Sequence, residues 1–210
     1  AENLEALRRG LPNLERHVEN IRKFGLEPVV AINRFDSDTA AELDLLRHAM
    51  RARGLVAVVN ESWGRGAAGG EALAEAVLEE IGRDRADFRP LYPDDMPLLD
   101  KIGVIAREIY RASDVVADAG VAARLKQWEA AGYGKLPICV AKTQYSFSAD
   151  PHALGAPEGF AMPVREVRLR AGAGFIVAIT GEIMTMPGLP KSPSSERIFL
   201  NEQGQIEGLF

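Results

Sequence analysis

Two aromatic residues stand just beyond the ends of two predicted buried strands. Phe35 follows the apolar run of residues 28–33, and Trp63 follows the run of residues 55–60. Neighbouring strands lie about 4.8 Å apart, and two rings that clamp a flat heterocycle need roughly 7 Å between them. Phe35 and Trp63 therefore predict a slot for a planar ligand. The alternative is that each ring plugs the sheet edge as part of the core.

Polar residues beside Phe35 allow a different interpretation. Asn33 and Asp36 belong to Asn33-Arg34-Phe35-Asp36, which differs by one residue from the Asn-Lys-x-Asp tetrapeptide with which nucleotide-binding switches read guanine. Such a switch also needs a Gly-x-x-x-x-Gly-Lys-Ser/Thr loop, and this sequence contains none. A guanine-nucleotide switch is therefore the less supported hypothesis.

Further polar candidates follow the predicted strand of residues 136–142. Lys142, Gln144 and Tyr145 lie at or just past its end, where they either contact a ligand or form an ordinary polar loop. The glycine-rich segment 64–70 predicts a flexible cover near the slot in preference to a phosphate cradle. Its lack of a lysine at the spacing of a phosphate loop is the reason.

A stiff segment follows the last long apolar run of the chain. Residues 183–193 contain three prolines, and each proline fixes φ and removes a hydrogen-bond donor. The segment either presents a ligand surface or is a structural loop between two strands. Its candidate cleft residues are Pro187, Gly188, Leu189 and Lys191.

The order of elements predicts how the first half of the chain positions these residues. The first predicted helix spans residues 11–24, with Leu14, Val18 and Ile21 on its inward side. A strand over 28–33, covered on both faces, and a helix capped by Ser37 or Asp38 and ending at about residue 53 follow it. The remaining predicted elements are a strand over 55–60, a loop over 63–70 and a helix over 71–82. Alternating strands and helices are typical of a parallel sheet with right-handed crossovers.

The second half predicts a mixed arrangement. Its predicted elements are helices over 97–112 and 118–131, strands over 136–142, 164–169 and 175–180, and a hairpin over 197–210. The fold class is therefore α/β: a parallel βαβ sheet domain over residues 1–96, then a smaller mixed α+β domain over 97–210 with antiparallel C-terminal strands. The polar, proline-containing segment 84–97 is the predicted linker.

Composition narrows the function classes. A net charge of -5 and a pI of about 5.4 argue against nucleic-acid binding, and no apolar run approaches the roughly 20 residues that span a bilayer. The three histidines are far apart and predict no metal site. The single cysteine, Cys139, lies in the apolar run 136–141 and predicts a packed core thiol. A cytoplasmic protein is the simplest expectation.

Several segments resemble one enzyme family, formate–tetrahydrofolate ligase (10-formyltetrahydrofolate synthetase). They occur in the family's order and spacing and cover the chain from end to end, but they match only the C-terminal part of the enzyme, somewhat less than half. These segments are residues 13–21, 30–35, 141–148, 183–191 and the terminal Gly208-Leu209-Phe210.

The resemblance implies an activity and a division of labour. In the family, ATP phosphorylates formate, and formyl phosphate then passes its formyl group to a nitrogen of tetrahydrofolate, giving 10-formyltetrahydrofolate. Mg²⁺ accompanies ATP, a monovalent cation assists, and the enzyme is a cytoplasmic homotetramer. The phosphate loop belongs to an N-terminal domain that this chain lacks, so the resemblance assigns no catalytic residue here.

The resemblance also bears on the aromatic slot. The counterparts of Phe35 and Trp63 are the two aromatics that sandwich the folate pterin ring. Some members have proline after the phenylalanine, where this chain has Asp36.

The resemblance leads to one hypothesis for the whole chain: it is the folate-binding portion of such a ligase and is inactive alone. The alternative is a non-catalytic binding or assembly module of the same fold.

Overall fold

The computed structural model describes residues 2–183 and 190–209, which form an α/β fold as predicted. The helices are α1 (Leu4–Lys23), α2 (Ala40–Arg51), α3 (Ser62–Arg65), α4 (Glu71–Gly82), α5 (Leu98–Glu108) and α6 (Ala119–Trp128). The strands are β1 (Val29–Asn33), β2 (Val56–Asn60), β3 (Asp114–Ala117), β4 (Ile138–Ala141), β5 (Ala161–Val164), β6 (Glu166–Arg170), β7 (Phe175–Ile179), β8 (Phe199–Leu200) and β9 (Ile206–Glu207). None of the described helices has the length and apolar character needed to cross a bilayer.

The strands β1 and β2 form a parallel pair connected through α2, which confirms the predicted βαβ unit. Their register runs from Val29 opposite Val56 to Asn33 opposite Asn60. The two strands therefore end at the same level, and the residues that follow them emerge side by side.

The strand β1 is less buried than predicted. Ile32 is buried, whereas Ala31 and Asn33 are exposed. Within the described ranges β1 pairs with β2 only, and parallel strands are covered on both faces when further strands and helices surround them. The expected coverage of both faces is therefore wrong for this chain by itself.

The helix after β1 begins later than predicted. Thr39 is its N-cap, not Ser37 or Asp38. The Thr39 hydroxyl accepts the Glu42 backbone N–H at 3.3 Å, and the Glu42 carboxylate accepts the Thr39 N–H at 3.0 Å. This reciprocal capping box satisfies two backbone donors. The carboxylate of Asp38 bonds instead to the Phe35 backbone N–H.

The helix α1 is longer than predicted and buries a polar face as well as an apolar one. Arg16 and Asn20 are buried, whereas Ile21, which periodicity placed inward, is 41% exposed. The Arg16 guanidinium lies 2.6 Å from the Glu158 carboxylate, and the Asn20 amide donates to the Ile109 carbonyl at 3.0 Å. Long-range polar partners therefore decide which side of α1 is covered.

The part of the chain after residue 97 contains most of the strands that the structure describes. In one sheet β4 pairs in parallel with β7, and β7 pairs antiparallel with β6; β3 and β5 form a separate parallel pair. The core that holds these elements together includes Leu98, Ile102, Leu125, Ile176 and Ala178.

The strand predicted over residues 164–169 is in fact two strands with different partners. The first, β5, ends at Val164 and pairs with β3, whereas β6 begins at Glu166 and pairs with β7. The backbone N–H of Arg165, between them, donates to the Ile179 carbonyl at 2.9 Å. The strand β3 was not predicted, because it begins with the charged Asp114 and its three apolar residues are too few to show a periodic pattern.

The C-terminal hairpin is confirmed. The strands β8 and β9 pair antiparallel, and the turn between them contains Gly204 at φ 74°, a conformation that favours glycine. The Asn201 side-chain oxygen accepts the backbone N–H groups of Gln203 and Gln205. The hairpin therefore follows from local turn chemistry.

Cys139 is exposed, which contradicts the predicted packed core thiol. Its neighbours on β4, Ile138 and Val140, are half-buried. Successive side chains of a strand point to opposite faces. Cys139 therefore lies on the face that the described chain leaves uncovered.

A buried lysine ties the predicted linker to the sheet. Lys101 of α5 is fully buried, and its ammonium donates to the carbonyls of Asp94, Gly134 and Leu136 at 2.7, 2.8 and 3.1 Å. The Lys101 nitrogen also lies 5.7 Å from the centre of the Tyr92 ring. Only a protonated amine offers three N–H donors, so Lys101 acts as an internal cross-link.

Candidate functional site

The two aromatic residues singled out from the sequence both lie at the level ends of β1 and β2. Phe35 is two residues beyond Asn33, and Trp63 is three residues beyond Asn60. Phe35 is 58% exposed and Trp63 is 80% exposed. Neither ring is part of the core, so the alternative of two buried edge plugs is wrong.

Side-chain bonds hold the ends of the two strands together. The Asn60 amide donates to the Asn33 side-chain oxygen at 2.9 Å, and the Arg34 backbone N–H donates to the Asn60 carbonyl at 3.0 Å. The Arg34 guanidinium lies 2.6 Å from the Glu61 carboxylate. Hydrogen bonds from Arg65 and Arg34 lower the pKa of Glu61, which therefore stays ionised between them.

A tight turn fixes the backbone of Phe35. The Asp38 carboxylate accepts the Phe35 N–H at 2.8 Å, and the Asp38 N–H donates to the Phe35 carbonyl at 3.0 Å. Asp36 lies inside this turn and is exposed. The turn therefore presents Phe35 and Asp36 together at the edge of the sheet.

Trp63 lies on a short helix, not in the glycine-rich loop that the sequence predicted. It belongs to α3, and a 3₁₀ segment (Gly66–Gly70) connects α3 to α4. The Glu61 N–H donates to the Gly69 carbonyl at 3.0 Å. The chain therefore folds back on the end of β2 instead of forming a loose cover.

Replacing Gly69 with alanine is expected to lower the free energy of unfolding by about 1–3 kcal/mol, the usual cost of overpacking. A Cβ at Gly69 would lie 2.4 Å from the Glu61 carbonyl carbon, so α3 would have to move. Denaturant unfolding measures the effect. Gly64→Ala is the matched control, because nothing lies within 4 Å of that Cβ; equal losses in both variants would contradict the prediction.

A second group of predicted residues follows β4. The Lys142 ammonium donates to the carbonyls of Thr143 and Ser146 and lies 5.4 Å from the centre of the Tyr110 ring. Burial lowers the pKa of Lys142. Lys142 and Gln144 line a pocket of about 440 Å³.

Tyr145 lines a neighbouring pocket of about 850 Å³. Gln144 lines this pocket as well, together with Asp150 and Arg165. Gln144 and Tyr145 are both exposed, so their side chains are available to a ligand.

The structure therefore places the predicted residues in two groups on two sheets. Asn33, Phe35, Asp36 and Trp63 lie beyond β1 and β2, whereas Lys142, Gln144 and Tyr145 lie beyond β4. Lys191 is exposed. Three other candidates, Pro187, Gly188 and Leu189, lie outside the described residues.

His17 lines the same pocket as Lys142, although it was not among the site residues predicted from the sequence. The His17 and Phe147 ring centroids are 4.8 Å apart, and partial burial, followed by the charge of Lys142, lowers the pKa of His17. The usable signal was the polar pair Asn13 and His17, four residues apart and thus on one helix face.

The imidazole of His17 is expected to titrate below the ordinary value of about 6.5. An imidazole with a lower pKa in the fold binds fewer protons there. The contribution of neutral His17 to the free energy of unfolding is therefore complete above about pH 6.5. It is lost as the pH falls through the pKa of His17 in the folded state. Proton NMR titration checks this, with a His17→Gln variant to assign the resonance. A midpoint at or above the ordinary value would contradict the prediction.

Comparison with known proteins gives a consistent result. A family model described as formate–tetrahydrofolate ligase matches residues 1–210. The chain is 60% identical over 209 residues to the formate–tetrahydrofolate ligase of Sinorhizobium fredii, and 59% identical over 209 residues to that of Rhizobium meliloti. It is 56% identical over 210 residues to the ligase of a Ruegeria species.

The coverage of these matches is unequal. Each covers 100% of this chain but only 37%, 37% and 38% of the three relatives, in the same order. The chain therefore spans a little over a third of the length of the curated relatives it matches.

Proposed function

This chain belongs to the formate–tetrahydrofolate ligase family, and on that premise we propose that it contributes the tetrahydrofolate-binding surface of such a ligase. The pterin ring stacks between Phe35 and Trp63. The observation that carries the proposal is the exposure of two large aromatic rings, 58% and 80%, at the level ends of two paired parallel strands. Ligands of open α/β sheets bind beyond the carboxyl ends of strands.

The proposed reaction has two steps. ATP phosphorylates formate to give formyl phosphate and ADP, and a tetrahydrofolate nitrogen then displaces phosphate to give 10-formyltetrahydrofolate. This chain orients the folate for the second step. Asn33 and Asp36 border the stacked ring, while Lys142, Gln144, Tyr145, Lys191 and residues 187–189 are proposed as further cleft contacts.

In this proposal the rest of the ligase binds most of ATP and Mg²⁺, and a monovalent cation assists the reaction. The absence of a Gly-x-x-x-x-Gly-Lys-Ser/Thr loop from this sequence supports that division. Over residues 2–183 and 190–209 no three His, Cys, Asp or Glu side chains are grouped to hold a metal ion. Homotetramer assembly and a cytoplasmic location belong to the same proposal.

Folate titration tests the binding surface. Stacking on Trp63 quenches indole emission, so tetrahydrofolate is titrated into a Trp128→Phe variant in which Trp63 is the remaining tryptophan. Saturable quenching is the expected result. Binding detected by calorimetry without any change in emission would contradict stacking on Trp63 and favour a binding or assembly module.

A formylation assay tests the division of labour. The chain alone is expected to show no formylation that depends on ATP and formate, and activity is expected when the remainder of the ligase is supplied. Turnover by the chain alone would refute the proposed inactivity without affecting the proposal for the folate slot.

A further inference from the structure

The pocket that contains Lys142 lies between α1 and the carboxyl end of β4. Its volume of about 440 Å³ falls within the range of small-molecule sites, roughly 300–1,000 Å³. One wall comes from residues 13–21 and the other from residues 141–148, two of the segments that carry the family resemblance. The polar residues that line it are Asn13, His17, Tyr110, Lys142, Thr143, Gln144 and Ser146.

The charged groups that line this pocket are basic. Lys142 and His17 are its titratable basic groups, and among residues 2–183 and 190–209 no aspartate or glutamate belongs to its lining. The recorded partners of the half-buried Lys142 ammonium are two backbone carbonyls and the Tyr110 ring, all of them neutral. A partly desolvated cation without a carboxylate partner favours the binding of an anion.

Two other buried cations in this chain have acidic groups nearby. Lys101, like Lys142, donates to backbone carbonyls, but the charges of Asp94, Asp95 and Glu129 partly offset the lowering of its pKa by burial, whereas burial alone shifts the pKa of Lys142. Arg16, on the same helix as His17, is 3% exposed and lies 2.6 Å from the Glu158 carboxylate and 3.6 Å from the Glu19 carboxylate. The structure records no ion pair of Lys142 within residues 2–183 and 190–209. A ligand, therefore, is the natural source of the negative charge at Lys142.

We infer that this pocket binds an oxyanion, a carboxylate or phosphate group on a small organic molecule. Lys142 supplies the charge, and the Asn13 amide and the His17 ring supply hydrogen-bonding groups on the opposite wall. The pocket lies at the end of β4, which runs parallel to β7, the end at which such sheets bind ligands. The inference rests on the proposed function only in that Lys142 and Gln144 are also proposed as cleft contacts. The pocket lining does not include Phe35 or Trp63, so the binding of small anions here and the stacking of tetrahydrofolate on the two rings are tested by separate measurements.

NMR titration with three probe anions tests the inference. Inorganic phosphate, formate and benzoate are added separately at constant ionic strength, with chloride as the reference, while the His17 ring resonances are followed. A saturable shift and a higher His17 pKa are expected for at least one probe. Saturation by phosphate identifies a phosphate site, and saturation by formate or benzoate identifies a carboxylate site. Shifts no larger than those from chloride for all three probes would overturn the inference.

A lysine variant locates the charge. Lys142→Met is expected to weaken binding of the active probe at least tenfold, whereas Lys135→Met, at an exposed position, leaves it unchanged. Equal affinity in Lys142→Met and the unaltered chain would also overturn the inference.

A labelling experiment gives the same information if Lys142→Met does not fold. Acylation of each lysine in the unaltered chain is followed by mass spectrometry with and without the probe. The probe is expected to slow acylation of Lys142 about tenfold and to leave Lys135 unaffected. Equal rates at Lys142 with and without the probe would show that no anion covers it.

Discussion

Replacing Lys101 with methionine is expected to lower the free energy of unfolding by about 3 kcal/mol, because it removes three hydrogen bonds from a charged donor and leaves three backbone carbonyls without that partner. The three acceptors come from the segment before α5 and from the turn before β4. The loss of these three hydrogen bonds removes a connection between the linker and the sheet. Denaturant unfolding at a fixed pH measures the change.

The control for this variant is Lys126→Met, which makes the same chemical change at an exposed position on α6. Surface substitutions of this kind usually change stability by no more than about 0.5 kcal/mol. If both variants lost the same amount, the cross-linking role of Lys101 would be wrong.

Removing either ring of the aromatic slot is expected to weaken tetrahydrofolate binding by roughly 5- to 150-fold, corresponding to about 1–3 kcal/mol per stacked ring. Trp63→Ala should lie at the upper end, since indole has the larger face, and Trp63→Phe should lose less. Calorimetry of Phe35→Ala and Trp63→Ala measures these affinities directly.

A matched control is available for the aromatic variants. Phe88 is also exposed, at 64%, and its ring stacks on that of Phe24, with 6.3 Å between the centroids and 6° between the planes. Phe24 precedes β1, whereas Phe35 and Trp63 follow β1 and β2. Phe88→Ala is expected to leave folate affinity unchanged. Unchanged affinity in both Phe35→Ala and Trp63→Ala would place the folate elsewhere.

The parallel βαβ unit and the position of Phe35 and Trp63 could be predicted from the sequence. Apolar runs of strand length, separated by a helical repeat, define the order of elements, and parallel pairing places their ends together. The C-terminal hairpin was also predictable from local sequence, because residues 201–204 are of types that form turns. The family was recognisable from segments distributed along the whole chain.

Tertiary structure decided which polar side chains are buried. The inward positions of Arg16 and Lys101 depend on acceptors distant in sequence, the Glu158 carboxylate and backbone carbonyls as far along as Leu136. Periodicity reports the composition of a helix face and not the chemistry of its partner. The pocket between His17 and Lys142 was hidden for the same reason, because it exists only where α1 meets the loop after β4.

The sequence by itself determined the family of this protein and most of its helices and strands, because both are contained in local patterns of residues. The three-dimensional packing decided how strands were shared and which charges were enclosed. The division of one predicted strand at Arg165 shows why: β5 and β6 have different partners, and hydrogen bonding to distant strands outweighs the continuity of a single apolar run.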